Sequence, residues 1–386
     1  MDSLGVWRSR IRISGLVKSH TFVYMDASPI QSANRDDSNR IKHLRKDLLY
    51  VLEQLPSVEN GELIGEILET LVRMAQQEAE RLDWKILSNS LLDMEEGFKS
   101  FFPYRHTRKI TIFGSARTPS TYPEYQMAAE FARRVVQQGF MVMTGAGGGI
   151  MQAGNEGAGR DHTFGLNIQL PFEQGANPVV SGDPKLVDFK YFFTRKLFFL
   201  KESDAIALFP GGFGTQDEAF ESLTLIQTGK AAPLPLVLID KPGGSYWKDW
   251  DYYIRNRLLD QGLISVDDTS LYHLTDSLDD ALEYVASFYR LYHSSRYVRG
   301  QLVMRLKAPL RDGGIDELNE AFSDILVDGV IREVSAFDVE RGDETEDLPR
   351  LALHFNQRDL GRLHQMIRFL GKLCVPCEAV EHPEKK

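Results

Sequence analysis

"AIALFPGGFGTQDEAFESL", residues Ala205 to Leu223, runs from an unbroken apolar stretch through three glycines behind a proline into an acidic amphipathic segment. Strand, glycine turn and helix in that order are one half of a βαβ unit. The same grammar recurs from Lys109 to about His293, with strands read in "KITIFGSA", "FMVMTGAG", "TFGLNIQLP", "PLPLVLID" and "LYHLTD". Between them lie helical patterns such as "YPEYQMAAEFARRVVQQG" and "YWKDWDYYIRNRLLDQG". Near-continuous apolar strands are what a sheet covered on both faces requires. Residues 104–293 are therefore expected to form an α/β, doubly wound, parallel-sheet domain of Rossmann-like type.

The flanks read differently. From Arg40 to Ser100 apolar residues recur at helical spacing, first Leu44, Leu48, Val51, Leu52 and Leu55, then Leu63, Ile67, Leu71 and Met74, with Pro56 and Glu59-Asn60-Gly61 between. This predicts a helical module over 40–103. Residues 1–39 are basic at first and lack an apolar run of signal-peptide length; they read as a transit peptide, a flexible tail or an overextended start, with Met25 opening a more ordinary segment. Residues 294–386 change to strand "QLVMRLKAP", helix "IDELNEAFSDIL", strands "IREVSAFDV" and "RLALHFN", and helix "RDLGRLHQMIRFLGKL". That βαββα order predicts a small α+β, ferredoxin-like domain with a regulatory or assembly role, the polar "ERGDETEDLPR" being its exposed loop.

With 386 residues and a formal net charge of -10, the chain has no overall basic face for sequence-independent nucleic-acid binding. No apolar run is long enough to span a membrane. Cys374 and Cys377 are its two cysteines, which excludes a disulfide framework and fits a reducing, cytoplasmic compartment. The Cys-Val-Pro-Cys stretch follows a helical pattern and lacks the further ligands of a zinc site, so it reads as incidental. The nine histidines show no metal-ligand spacing, so no metal is expected.

Three glycine-bearing turns follow strands: Gly114-Ser115-Ala116-Arg117, Gly145 to Gly149, and Gly211 to Gly214. In an open α/β sheet such turns meet where ligands bind, and helix N-termini behind them favour anions. Together they describe a phosphate cradle. The turn at Gly145 is not a dinucleotide fingerprint, because G-x-G-x-x-G begun at Gly145 puts Ile150 at the last position and begun at Gly147 puts Gln152 there. Arg195-Lys196 opens a helix, where cations oppose the macrodipole unless an anion faces them. Thr215-Gln216-Asp217-Glu218 has the spacing of a helix capping box, a purely structural use. Against that stand the triple glycine upstream and Glu221 one turn on, since carboxylates beside a phosphate turn are electrostatically unfavourable without a purpose.

Pro210-Gly211-Gly212-Phe213-Gly214-Thr215-Gln216-Asp217-Glu218 matches P-G-G-x-G-T-x-x-E, with Arg195-Lys196 upstream. The pairing resembles the LONELY GUY family of nucleoside 5′-monophosphate phosphoribohydrolases, often labelled lysine decarboxylases. "FGSAR" and "TGAGGGIM" match its first two glycine turns, while "GLNIQLPFEQGANP" and "LTLIQTGK" resemble a longer-chain branch. Ala146 stands where the family usually has glycine, and Gln152 where this branch often has glutamate.

The resemblance implies hydrolysis of the N-glycosidic bond of a nucleoside 5′-monophosphate to free base and ribose 5-phosphate, with no cofactor. Glu218 and Arg195 would be catalytic. Ser115, Gly145, Gly147, Gly148, Gly149 and Met151 would bind substrate with Lys196, Gly211, Gly212, Gly214, Thr215 and Glu221. A homodimer or higher homo-oligomer is implied, with neither nucleic acid nor membrane as partner. The alternative is a nucleotide-binding or regulatory protein that keeps the cradle without turnover. Lysine decarboxylation would need a pyridoxal cofactor on a Schiff-base lysine, which no feature of the sequence marks.

Overall fold

The computed structural model describes residues 46, 50, 51, 53–77, 79–170 and 175–374. The readings placed on residues 1–39, on Leu44, Leu48, Leu52 and Cys377, and on residues 171–174 of "GLNIQLPFEQGANP" lie outside the described residues. The chain divides into two compact units, 1–84 and 85–386. In the first, a short 3-10 turn at Leu55–Ser57 precedes helix α1, Gly61–Gln76. The break between them needs its residues: Asn60 takes φ 61°, and a Cβ on Gly61 would stand 1.8 Å from the Leu55 carbonyl oxygen. Helix α2, Arg81–Phe101, leads into the second unit.

The second unit is built on seven strands: β1 Lys109–Phe113, β2 Met141–Thr144, β3 Thr163–Ile168, β4 Leu186–Phe189, β5 Ala205–Leu208, β6 Leu236–Ile239 and β7 Tyr272–Thr275. All neighbouring pairs are parallel, in the order β4-β3-β2-β1-β5-β6-β7. The helices between them are α3 Pro123–Gln137, α4 Ile150–Ala158, α5 Phe192–Glu202, α6 Phe213–Gln227, α7 Tyr246–Tyr253 and α8 Leu278–Phe288. One sheet face, with Ile110, Val142, Ala207 and Val237, packs on Phe131 of α3 and Phe288 of α8. The other, with Met143, Leu166, Ile206 and Leu238, packs on Phe198 of α5, Trp247 of α7 and Phe101 of α2. The fold is thus the doubly wound α/β arrangement that the strand patterns require.

Six of the seven strands are those read from the sequence. The seventh, β4, escapes that reading because its apolar signal is short and broken: Val187 and Phe189 are buried while Asp188 between them is exposed. From β1 the chain moves outward through β2 and β3 to β4, then returns to place β5 against the other side of β1. The strand order therefore reverses between β1 and β5, the position where open α/β sheets bind ligands.

A second, antiparallel sheet holds β8 Tyr292–Val298, β9 Gln301–Leu306, β10 Leu326–Val334 and β11 Arg350–Phe355, in the order β10-β11-β9-β8, with α9 Gly314–Phe322 and α10 Leu360–Leu370. With β11 between β9 and β10 this is a split βαβ unit. The expected βαββα order is corrected to ββαββα. The edge strand beside β9 is contributed by "YHSSRYV", which comes immediately before β9 in sequence.

Two further expectations change. The strand read as "IREVSAFDV" lies earlier, and residues 338–340 form a 3-10 turn instead. The reason is Glu340: fully buried, it accepts from Arg305 at 2.6 and 3.1 Å and from Arg350 at 3.2 Å. Burial alone would raise its pKa, but the two guanidinium groups and the Phe337 N–H hold it below the ordinary value. "ERGDETEDLPR" is therefore not wholly an exposed loop, since its first and last residues, Glu340 and Arg350, are buried against the sheet.

Candidate active site

The turns after β1 and β5 meet where the strand order reverses. Ser115 N–H donates to the Pro210 carbonyl at 3.1 Å, and Ile150 N–H, at the start of α4, donates to the Ser115 carbonyl at 3.0 Å. Glycine is required at the contacts. A Cβ on Gly211 would stand 2.1 Å from Thr215 Oγ1 and 2.9 Å from Ser115 N, and one on Gly149, at φ +60°, would stand 2.2 Å from the Ser115 carbonyl oxygen. The first turns of α4 and α6 present backbone N–H groups that have no intrahelical partner, a ready anion site. Gly212 and Gly214 face open space: a Cβ on either would meet nothing within 4 Å.

Arg195 and Lys196 come from α5. Arg195 Nε donates to the Leu166 carbonyl at 2.8 Å and its Nη2 to the Gly145 carbonyl at 3.2 Å, so the guanidinium joins the end of β3 to the second glycine turn. Met151 crowds the same point, its Sδ lying 2.6 Å from where a Gly145 Cβ would be. Lys196 Nζ lies 2.8 Å from Asp217 Oδ2 and 3.7 Å from Glu218 Oε2, and it also pairs with Glu221 Oε2. Burial would lower the Lys196 pKa, but hydrogen bonds to Asp217 and Glu221 and the charges of Glu218 and Glu221 raise it above the ordinary value.

Glu218 is 12 % exposed. Burial pushes its carboxyl up, to about 7, against the charges of Lys196 and Arg195, while Glu221 and Asp217 add to the rise. Three carboxylates face two cations, so the cluster is one negative charge in excess until one acid takes up a proton. Near neutrality Glu218 is the group poised to do so.

The capping-box reading of Thr215 and Glu218 is overturned. Helix α6 begins at Phe213 with Gly212 at its N-cap, so Thr215 is already inside the helix and Glu218 is beyond its first turn. Thr215, buried, instead packs under Gly211. Glycine turns, Thr215 and Arg195 are brought together at one end of the sheet, and Lys196 ties Glu218 to Glu221 beside them. Gln152 pairs with Glu156 at 2.7 Å on the exposed side of α4.

Sequence reading singled out Ala146 in the second turn but passed over the residues that hold it, Thr144, Asn155 and Asn177. Ala146 takes φ 63°, a left-handed conformation for a residue with a Cβ. It is pinned on both sides. Its N–H donates to Thr144 Oγ1 at 3.1 Å, and its carbonyl accepts from the Asn177 backbone at 2.8 Å and from Asn177 Nδ2 at 3.0 Å. Behind it buried Asn155 accepts from Thr144 Oγ1 at 2.8 Å and donates to Thr163 Oγ1 at 2.6 Å. An asparagine inside a helix, Asn155, was the available sign, because that residue is a poor helix former kept there by something other than propensity. Tyr246 was also missed; its hydroxyl donates to the Gly211 carbonyl and accepts from Gln216 Nε2 at 2.6 Å.

Residues 125–285 match the family model described as possible lysine decarboxylase. That span holds Arg195, Glu218 and the second and third glycine turns. No curated protein matches the chain. Among solved structures, an X-ray structure of a structural-genomics target shares 22% identity over 46% of this chain and 96% of its own, with a TM-score of 0.33. A molybdenum cofactor binding protein from Rippkaea orientalis shares 15% over 47% and 96%, at a TM-score of 0.35. A molybdenum cofactor carrier protein from Chlamydomonas reinhardtii shares 17% over 46% and 96%, at 0.34.

The name of the family model implies a pyridoxal cofactor, and Lys196, the lysine of this cluster, does not fit its Schiff base. A Schiff-base lysine must shed its proton to react, whereas Lys196 is surrounded by three carboxylates that hold the proton on. Among the described residues no group of three or more His, Cys, Asp or Glu is placed to hold a metal ion, and no helix is long and apolar enough to cross a membrane.

Proposed function

We propose that this site hydrolyses the N-glycosidic bond of a nucleoside 5′-monophosphate, releasing free base and ribose 5-phosphate. The observation that carries the reading is Glu218: a largely buried carboxylate, poised near neutrality, beside two cations and next to glycine turns suited to a phosphate. As the base leaves, C1′ of the ribose takes on oxocarbenium character, which an adjacent carboxylate stabilises while it orients water. Arg195 would balance charge on the departing base or the phosphate, and Lys196 would hold the carboxylates in place. The turns at Ser115, Gly145–Gly149 and Gly211–Thr215 would hold the 5′-phosphate, whose binding positions C1′ for attack. Pairing of two copies is part of the proposal.

The test is chromatography of products after incubation with a panel of nucleoside mono-, di- and triphosphates and bare nucleosides. Free base should appear from a monophosphate far faster than from its nucleoside. Equal rates on AMP and adenosine would sink the cradle assignment, and tight binding without release of base would leave a nucleotide-binding protein.

A further inference from the structure

We propose that Asp93, on helix α2, is a positioning residue for the Arg195–Lys196 pair; the inference rests on the reading of Glu218, Arg195 and Lys196 as the reactive cluster. Helix α5 presents a problem of its own, because it carries two cations close to the end where the macrodipole is already positive. At its N-cap Tyr191 makes no side-chain bond to the helix. The charge that faces this end comes from α2 instead. Both oxygens of Asp93 accept from Lys190 N–H, at 3.1 and 3.2 Å, and Oδ2 also accepts from Tyr191 N–H at 3.2 Å and from Thr194 Oγ1 at 2.6 Å.

The carboxylate is buried, and α2 comes closest to α5 at Gly97. Ser90, Asp93, Gly97 and Phe101 are the buried residues of α2 and recur at helical spacing. A Cβ on Gly97 would stand 2.3 Å from the Phe198 ring, and Phe101 stacks on Phe198 and Phe164 with centroids 6.0 and 4.5 Å away. One negative group thus holds the two backbone N–H groups just ahead of α5, places its charge at the helix's positive end and grips the hydroxyl of Thr194, the residue immediately before Arg195. Where α5 starts, and how far it reaches toward α6, is set from outside the glycine-turn domain. This accounts for cations at a helix N-terminus, since the dipole they oppose is already answered by Asp93.

The test uses full-length Asp93→Ala, Asp93→Asn and Thr194→Val with two readouts. The first is kcat and KM on whichever monophosphate the wild type cleaves. The second is the titration of the Glu218 carboxyl by 13C NMR, assigned from its loss in Glu218→Gln. Glu218 faces Arg195 and Lys196 from α5 and Asp217 and Glu221 on its own helix, so retreat of α5 removes the two cations and leaves the acids. Asp93→Ala should lower kcat by about 10²-fold, the scale of a small misplacement, with KM little changed and the Glu218 titration moved to higher pH. Asp93→Asn, which keeps an acceptor, should recover part of both effects, and Thr194→Val should show a smaller shift in the same direction.

Wild-type kcat and titration in a folded Asp93→Ala would overturn the proposal. So would lowered activity with an unmoved Glu218 titration, which is what a merely structural cap predicts. If the alanine variant does not fold, the asparagine and valine variants carry the same two outcomes. A wild type that cleaves no nucleotide sinks the proposed function alone, because the titration still decides the role of Asp93.

Discussion

Glu218 shows how a single burial decision creates both a reactive group and a stability penalty. Its carboxyl ionises near 7 in the folded chain against an ordinary 4.5. The folded-state pKa is raised, so the folded chain holds this proton more tightly than the unfolded one does. The penalty is absent below about 4.5, grows as pH rises to about 7 and is constant above that, on the order of 3 kcal/mol. Glu218→Gln should therefore be more stable than wild type to denaturant at pH 8 and no more stable at pH 4. The same substitution should lower turnover by about 10²–10⁴-fold. Near-normal turnover would remove Glu218 from the chemistry. If the ionised form is the active one, kcat in the wild type falls as pH drops through about 7, a limb readable from a pH–rate profile.

The turn after β2 makes opposite demands on two neighbouring residues. Gly145 has no room: a Cβ there would stand 2.4 Å from Arg195 Nη2. Gly145→Ala should displace the guanidinium and reduce turnover on the scale of about 10²-fold, with far-ultraviolet circular dichroism unchanged. Ala146, at φ 63°, lies in a conformation that glycine adopts without strain. Relief of about 1–2 kcal/mol of left-handed strain is partly offset by about 0.4–1 kcal/mol of extra freedom in the unfolded chain. Ala146→Gly should consequently hold or slightly raise the denaturation midpoint and keep activity. Behind both residues, Asn155→Ala removes a fully buried partner from Thr144 and Thr163 and should destabilise the protein by about 1–3 kcal/mol.

Both sheets of the second unit share one hydrophobic core. Ile110, Phe131, Val237 and Phe288 form a continuous cluster with Leu302, Met304, Leu351, Leu363 and Ile367. Deleting residues after His293 should thus expose the face that the second sheet and α10 cover. The expected result is aggregation or loss of the cooperative melting transition; a soluble, cooperatively folded truncation would show that the first sheet's core closes by itself. Exposed apolar side chains gather on α5 and α6, where Phe192, Phe193, Leu197, Phe213 and Phe220 reach the surface and Phe213 is 96 % exposed. The proposed pairing of two copies would cover these side chains. Light scattering should give a multiple of 43.8 kDa at micromolar concentration, and Phe213→Asp should move the mass toward that of one chain.

Local pattern alone determined six of the seven strands of the first sheet, several of the helices between them and the three glycine turns, because apolar runs and missing Cβ atoms act on the residues that carry them. It also picked out Arg195, Lys196, Glu218 and Glu221 by type and spacing. Strands β4 and β8 were not legible, since exposed or half-exposed polar residues interrupt their apolar signal. Tertiary structure decided the rest. Whether Thr215 and Glu218 cap a helix depends on where α6 begins, which is set at Gly212 by the turn packed against Ser115. Whether Ala146 tolerates a left-handed backbone depends on Asn177, thirty-one positions away. Whether two cations can open a helix depends on Asp93, about a hundred residues upstream of Thr194. Those partners are close only once the chain is folded, and hydrogen bonds and charges across such separations leave no periodic trace in the sequence.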